Sequence, residues 1–390
     1  MDPHPGQRLK PLDGLRGIAI LGVLLFHGAN SLARPATIGG ALVRKLFSSG
    51  WTGVDLFFVL SGFLITGILL DAKGRPNYFR AFYARRALRI LPLYYGYLLA
   101  IFIVGPLLAG HALGLDPTPA SDQAWYWVHL QNFHFAQGSA KSYVVSLWSL
   151  AIEEQFYLLW PAVILLCSER GALRACIACI ALSFAYRAWM LAAVGDPHPL
   201  YFGTPARLDG LAVGRALAIV ARTPDGLKRL RPYVRPTLVA SALLLLIVFV
   251  RARYLNPADT VLAVAGYPAL AAAFGAILVW ALTPGDGWAH RALSGPMLGF
   301  WGKYSYGLYV LHGAVQSMAA VHGITASGFL GMRVEWLSVL AYMACMLAAS
   351  TVLALLSWHA WEKPFHKLRR RFPYGRVAVA GAAGAAASVA

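Results

Sequence analysis

Charge is what this chain has least of. Of 390 residues, 34 are Lys or Arg and only 16 are Asp or Glu, so 13% are charged against 58% hydrophobic. Soluble domains carry about 25% charged residues. The deficit excludes an ordinary water-exposed surface over most of the length. Cysteine is also scarce: Cys167, Cys176, Cys179 and Cys345, each inside an apolar run. Cys176 and Cys179 form a C-x-x-C, but with no second pair beside it the spacing reads as packing rather than zinc or redox chemistry. No metal site is expected. The N-terminus lacks the marks of a cleaved signal peptide: MDPHPGQRLKPLDGLRG is too long and polar for an n-region, and no A-x-A-like site follows the first apolar run. That run reads as a retained helix.

What is present is hydrophobic length and positive charge. A net charge of +18 is compatible with nucleic-acid binding. The cations, however, fall between apolar runs and favour alternate loops, which is the pattern of membrane orientation. No nucleic-acid partner is expected, and membrane lipid is. A span needs about 20 mostly apolar residues. Ten segments qualify, near 13–32, 51–70, 90–110, 146–167, 172–194, 207–222, 236–251, 260–282, 298–320 and 336–358. The fold class expected is therefore all-α, a polytopic integral membrane protein. The aromatic stretch from Trp125 to Phe135 is too polar for an eleventh span and reads as interfacial or re-entrant.

Loop charge sets the orientation. With ten spans and a cytoplasmic N-terminus, inner loops hold Lys73, Arg75, Arg80, Arg85, Arg86 and Arg89, then Arg222, Lys228, Arg229, Arg231 and Arg235, then the run from Lys363 to Arg376. Outer loops hold only scattered cations. Both termini are thus expected in the cytoplasm. Residues 1–365 read as one membrane domain, with nothing soluble of domain size before or after the spans. Residues 366–390 read as a basic, then Ala/Gly-rich tail, disordered at its end.

Ionisable groups inside a bilayer are costly and mark functional sites. Arg16 and His27 are eleven residues apart in the first span, which brings them within about 20° of one helix face and separates them by roughly 16 Å. Histidine titrates near neutrality, so it can take a proton from a hydroxyl and return it. Asp13, at i to i+3 from Arg16, reads as that arginine's partner. Asp55 in the second span either orients His27 or caps its own helix. Ser61-Gly62 reads as a close-packing site. Arg86 and Arg89 project together; they obey the positive-inside rule and also suit a phosphate clamp, because guanidinium forks bind phosphate bidentately. Glu153 and Glu154 lie in the outer half of the fourth span, pointing to different sides, so one of them is expected to face His27. Arg207, Asp209 and His312 also fall in the outer half, where structural pairing and function are equal readings.

These segments, LDGLRGIAILGVLLFH, GVDLFFVLSGFLIT, FYARRALRILPLYY, SLWSLAIEEQFYLLWP, RLDGLAVG, SYGLYVLH and WEKPF, resemble in their order acyltransferase family 3, the bacterial membrane O-acyltransferases. The resemblance runs from about Leu12 to Phe365. It implies a multi-pass enzyme of the bacterial inner membrane that moves an acyl group, usually acetyl, from cytoplasmic acyl-coenzyme A to a hydroxyl. Acceptors in similar proteins are surface glycans, lipid-linked sugars or, in some, macrolides. The family's R-x10-H motif falls on Arg16 and His27, its R-x-x-R on Arg86 and Arg89, and its W-S-L-x-x-E on Trp148, Ser149, Leu150 and Glu153. Some similar proteins add a C-terminal hydrolase-like domain, which is not expected here.

The expected site therefore has His27, Glu153 and Asp55 as catalytic groups. Arg16, Arg86 and Arg89 would bind acyl-coenzyme A, and Trp148, Arg207, Asp209 and His312 would contact the acceptor. Either His27 is a general base held by Glu153 or Asp55, or it carries the acyl group itself. The competing expectation is a transporter or flippase of a lipid-linked sugar, since buried charges suit that as well.

Overall fold

The computed structural model describes residues 9–32, 34–108, 118–138, 143–257, 259–285 and 287–375. Among these the chain is helical throughout, without a strand. Each expected span is met by a helix: α1 Lys10–Asn30, α2 Gly53–Ala72, α3 Tyr78–Leu99, α4 Trp148–Leu166, α5 Glu169–Val194, α6 Leu208–Val220, α7 Arg231–Ala252, α8 Tyr267–Leu282, α9 Pro296–Val321 and α10 Glu335–Ser357. Eight helical stretches, covering all of these except α6 and α9, are long and apolar enough to cross a membrane. The molecule is an all-α polytopic membrane protein.

Contacts between helix ends confirm the up-and-down order. At one end Lys73 Nζ donates to the Cys167 carbonyl at 2.6 Å, tying the close of α2 to the close of α4. Arg222 reaches Asp71 there at 2.7 Å, adding the close of α6. At the opposite end Trp51 Nε1 donates to the Leu255 carbonyl at 2.9 Å, and the backbone N–H of Ala36 donates to Glu335. The first end carries the Arg85, Arg86 and Arg89 cluster as well as Arg222 and Lys363, so the cation-rich loops do gather on one side.

Two close crossings build the centre. A Cβ on Gly62 would run into the Leu211 carbonyl, and one on Gly302 into the Asp13 carbonyl. Only glycine lets α2 lie that close to α6, and α9 that close to α1. The first bears out the expected packing role of Ser61-Gly62. The second joins the two helices that carry His312 and His27, whose rings lie 5.0 Å apart.

The α6 helix has 13 residues, so it rises only about 20 Å and cannot span the core alone. Its outer end is continued by the short helix His198–Phe202 and a 3₁₀ turn, Thr204–Arg207. Non-helical backbone at that depth needs protein partners. Asn132 Nδ2 supplies one to the Phe202 carbonyl, and Arg187 Nη1 another to the Ala206 carbonyl. Asn132 belongs to the aromatic stretch, which forms two short helices, Ala120–Trp127 and Gln131–Ala136. Tyr94 and Tyr95 of α3 donate to the Tyr126 and Trp127 carbonyls, and Gln131 donates to the Leu147 carbonyl. With Gln131, Asn132 and Phe135 fully buried, the stretch is folded into the bundle rather than lying on it. Beyond α10 the chain continues as Lys363–Leu368 and a turn, Arg369–Arg371, against α3. The Ala/Gly-rich end of the tail, 376–390, lies outside the described residues.

Candidate active site

A cavity with an empty volume of about 660 Å³ opens among α1, α2, α3, α4 and α9. Arg16, Arg86 and Arg89 line it, together with Glu153, Tyr157 and Ser61. The helical spacing explains the set: Arg86 and Arg89 share a face of α3, and Glu153 and Tyr157 are one turn apart on α4. Arg16 also keeps a 3.9 Å contact with Asp13. The Arg86 guanidinium lies 4.0 Å over the Tyr157 ring, a cation–π contact. The Tyr157 hydroxyl donates to Glu153 at 3.0 Å and shares a hydrogen bond with Ser61. Glu153 thus faces the cavity, while Glu154 does not line it and leaves Oε1 buried without a partner.

The cavity also reaches Ser149 and Tyr309, whose hydroxyls are bonded at 2.6 Å. Behind that pair the Tyr309 ring is 6.0 Å from His312, and the His312 ring is 5.0 Å from His27. His27 itself does not line the cavity. Nδ1 of His312 sits 3.1 Å and 2.9 Å from the carbonyls of Leu308 and Tyr309. A carbonyl can only accept, so Nδ1 carries the hydrogen and Nε2 keeps its lone pair. Among the described residues the His27 ring makes no hydrogen bond; its near neighbours are Phe26 and His312.

Five of the expected site residues have other partners than a site around His27 would give them. Asp55 does not reach His27: its Oδ1 accepts from Arg207 at 2.6 Å, with both residues almost fully buried. Arg207 and Asp209 follow the structural-pairing expectation, each held by a buried partner of opposite charge. Asp209 pairs with Arg187 at 2.8 Å, and Arg207 lies 3.8 Å over the Tyr267 ring. Trp148 is buried against Tyr201 at 4.7 Å, leaving it no open face. The short α6 explains the shift, because its N-terminal charges start well inside the bundle and must find partners there. Glu153 likewise has Tyr157, not His27, as its hydrogen-bond partner.

Sequence reasoning passed over Arg187, Tyr157 and Tyr309. Tyr157 carried a signal, the i to i+4 step from Glu153 on a helix already suspected. Tyr309 lies three residues before His312, again on one face. Arg187 carried the same warning as any cation deep in an apolar run.

An acyltransferase domain family model matches residues 10–356. Among curated proteins, one from Bacillus subtilis (strain 168) named "Putative peptidoglycan O-acetyltransferase YrhL" is 31% identical over 90% of this chain and 54% of its own length. "Peptidoglycan O-acetyltransferase OatA" of Listeria monocytogenes serovar 1/2a is 28% identical over 91% of this chain and 55% of its own length. The chain spans about half the length of the curated relatives it matches. No solved structure matches it.

Proposed function

Since the chain belongs to acyltransferase family 3, we propose that it is a membrane O-acetyltransferase, taking the acetyl group from cytoplasmic acetyl-coenzyme A and passing it to a hydroxyl of a surface glycan, peptidoglycan being the first acceptor to test. The observation that carries this reading is the arginine-lined cavity leading from the cation-rich end to the Ser149–Tyr309 hydroxyl pair, with His312 and His27 directly behind it. By the positive-inside rule that end is the cytoplasmic one, in the bacterial inner membrane.

The donor's phosphates bind Arg86 and Arg89, which offer forked donors to them. The acyl-bearing arm rises past Arg16 through the cavity toward His27, a rise of roughly 16 Å along α1. His27 removes the proton from the acceptor hydroxyl; that oxygen attacks the thioester carbonyl carbon, the C–S bond breaks, and the proton returns to the departing thiolate. In a second version of the same chemistry the His27 ring nitrogen takes the acyl group first and the acceptor oxygen then displaces it. Both versions need an unprotonated His27 ring nitrogen, its lone pair facing the acceptor hydroxyl in the first and the thioester carbon in the second; His312, whose ring lies 5.0 Å away, is the neighbour placed to orient it.

The test is acetyl transfer from labelled acetyl-coenzyme A to glycan by protein reconstituted in vesicles, together with mass spectrometry of surface glycans from cells with and without the gene. Acetyl loss from the glycan in the deleted strain, restored by wild type and not by His27→Ala, is the expected result. Purified protein that binds no acetyl-coenzyme A would overturn the reading and favour transport of a lipid-linked sugar.

A further inference from the structure

A second cavity, with an empty volume of about 1020 Å³, lies at the cation-rich end. It meets the first at Arg86 and Arg89, which line both. Arg75 and Arg85 join them from the α2–α3 side, and Arg369 and Tyr374 come from the segment after α10. The acid among the lining residues is Asp71, and Arg222 already holds it at 2.7 Å and 2.9 Å. Five guanidinium groups therefore surround one space with no free carboxylate lining it among the described residues. Nε of Arg86 and Nε of Arg369 are buried there without a hydrogen-bond partner.

The segment is fastened along α3 in reverse order. Trp361 Nε1 donates to the Pro92 carbonyl at 2.9 Å, Arg85 Nη1 contacts the Phe372 carbonyl at 3.5 Å, and the Gly375 N–H donates to the Pro76 carbonyl at 3.2 Å. Arg85 also lies 5.6 Å over the Tyr374 ring, and Arg80 6.0 Å over Phe372. These ties hold Arg369 over the cavity, although among the described residues its side chain makes a single long hydrogen bond, 3.4 Å to His366. The family model stops at residue 356, so this wall lies beyond the region it matches.

We propose that residues 363–375 form a strap closing a polyphosphate site, and that Arg369 binds the phosphate group of the donor's nucleotide end that lies farthest from the thioester. The proposal rests on the acyl-coenzyme A reading above. Clustered like charges repel, and a cluster with unfilled N–H donors is stabilised by an anion carrying several charges at once. One phosphate satisfies Arg86 and Arg89. The outer three arginines, Arg75, Arg85 and Arg369, match a second phosphate-bearing part of the same ligand. Coenzyme A has this form, with a pyrophosphate nearer its thiol arm and a 3′-phosphate on its ribose. An anionic lipid headgroup shares the phosphate chemistry, but the two arginines common to both cavities favour a ligand that contacts both.

The test is calorimetric titration of the full-length protein in detergent with coenzyme A and with dephospho-coenzyme A, which lacks the 3′-phosphate. Wild type should bind coenzyme A the more tightly. Arg369→Ala should weaken coenzyme A binding about tenfold or more, the worth of one charge-assisted bond, and leave dephospho-coenzyme A binding unchanged. Arg369→Lys should restore part of the difference, and an unaltered melting temperature should accompany both variants. Coenzyme A binding that is unchanged in Arg369→Ala would overturn the strap. So would loss of co-purifying phosphatidylglycerol in that variant with coenzyme A affinity intact, since the site would then hold a lipid headgroup. Wild type that binds neither nucleotide would instead bring down the acyl-donor reading itself.

Discussion

The rings of His27 and His312 lie 5.0 Å apart, at the crossing of the first and ninth spanning helices. The Nδ1 hydrogen of His312 is committed to its own helix, so its Nε2 keeps its lone pair beside the His27 ring, with no hydrogen bond joining the two rings among the described residues. A hydrogen bond from the His27 ring to that nitrogen, formed when the site is occupied, would select the His27 tautomer as the carboxylate does in a Ser-His-Asp triad. It would do so without placing a full negative charge in an apolar surround. His27→Ala should lower acetyl transfer by about 10²–10⁴-fold, the usual worth of a general base. His312→Phe keeps a ring of similar shape without the acceptor. It should lower kcat by roughly tenfold or more and leave KM for the donor near wild type. A kcat unchanged in His312→Phe would remove it from the positioning role.

Asp55 and Arg207 make the opposite case. Their 2.6 Å contact is buried, and Arg207 also sits among four aromatic rings, of which Tyr267 is nearest at 3.8 Å. Removing one partner of a buried pair strands the other and costs about 3–5 kcal/mol. Asp55→Ala and Arg207→Ala should therefore both lower the melting temperature in detergent markedly, and the double variant should recover part of that loss. Variants that melt like wild type but have lost transfer would return both residues to the catalytic group.

Arg89 borders both of the cavities described, so it stands where a ligand passing from one to the other must go. Arg89→Ala should raise KM for acetyl-coenzyme A by about ten- to a hundredfold, from one or two charge-assisted bonds, with a smaller change in kcat. Raising the ionic strength should raise the wild-type KM in the same direction, because phosphate contacts near the surface are screened. A KM insensitive to both changes would rule out a phosphate role for the cluster.

Most of the ten helices were legible because lipid asks about 20 apolar residues of a span, and eight helical stretches among the described residues meet that rule; α6, with 13 residues, and α9 do not. The faces of single helices were legible too: Arg16 with His27, Arg86 with Arg89. Which helices touch was not. Asp55 was open to His27 until the short α6 brought Arg207 against it, and nothing in RLDGLAVG fixes how deep that helix begins. His27 meets His312 rather than Glu153 because α9 packs closely along α1, as the Gly302–Asp13 approach shows, and no single-helix pattern records that pairing. Tertiary contacts of this kind depend on crossing angles and on depth, neither of which a periodic pattern records.

His129 joins the two short helices of the folded-in aromatic stretch, with a left-handed backbone at φ 56°. Its ring is stacked 4.3 Å from Tyr94, and its Nδ1 is buried without a partner. Burial pushes this imidazole down to about 4 from its ordinary 6.5. The fold therefore favours the neutral ring. Its contribution to stability is whole above the unfolded value of about 6.5, falls as the pH drops through the window, and levels off below about 4. Asn tolerates positive φ and cannot take up a proton in that range. The melting temperature of wild type should accordingly fall more steeply than that of His129→Asn between about pH 6.5 and about pH 4. The other titrating groups act alike in both proteins and cancel in the comparison. Parallel curves would show that the stretch around His129 admits the charged ring, and with it water, at no cost to the fold.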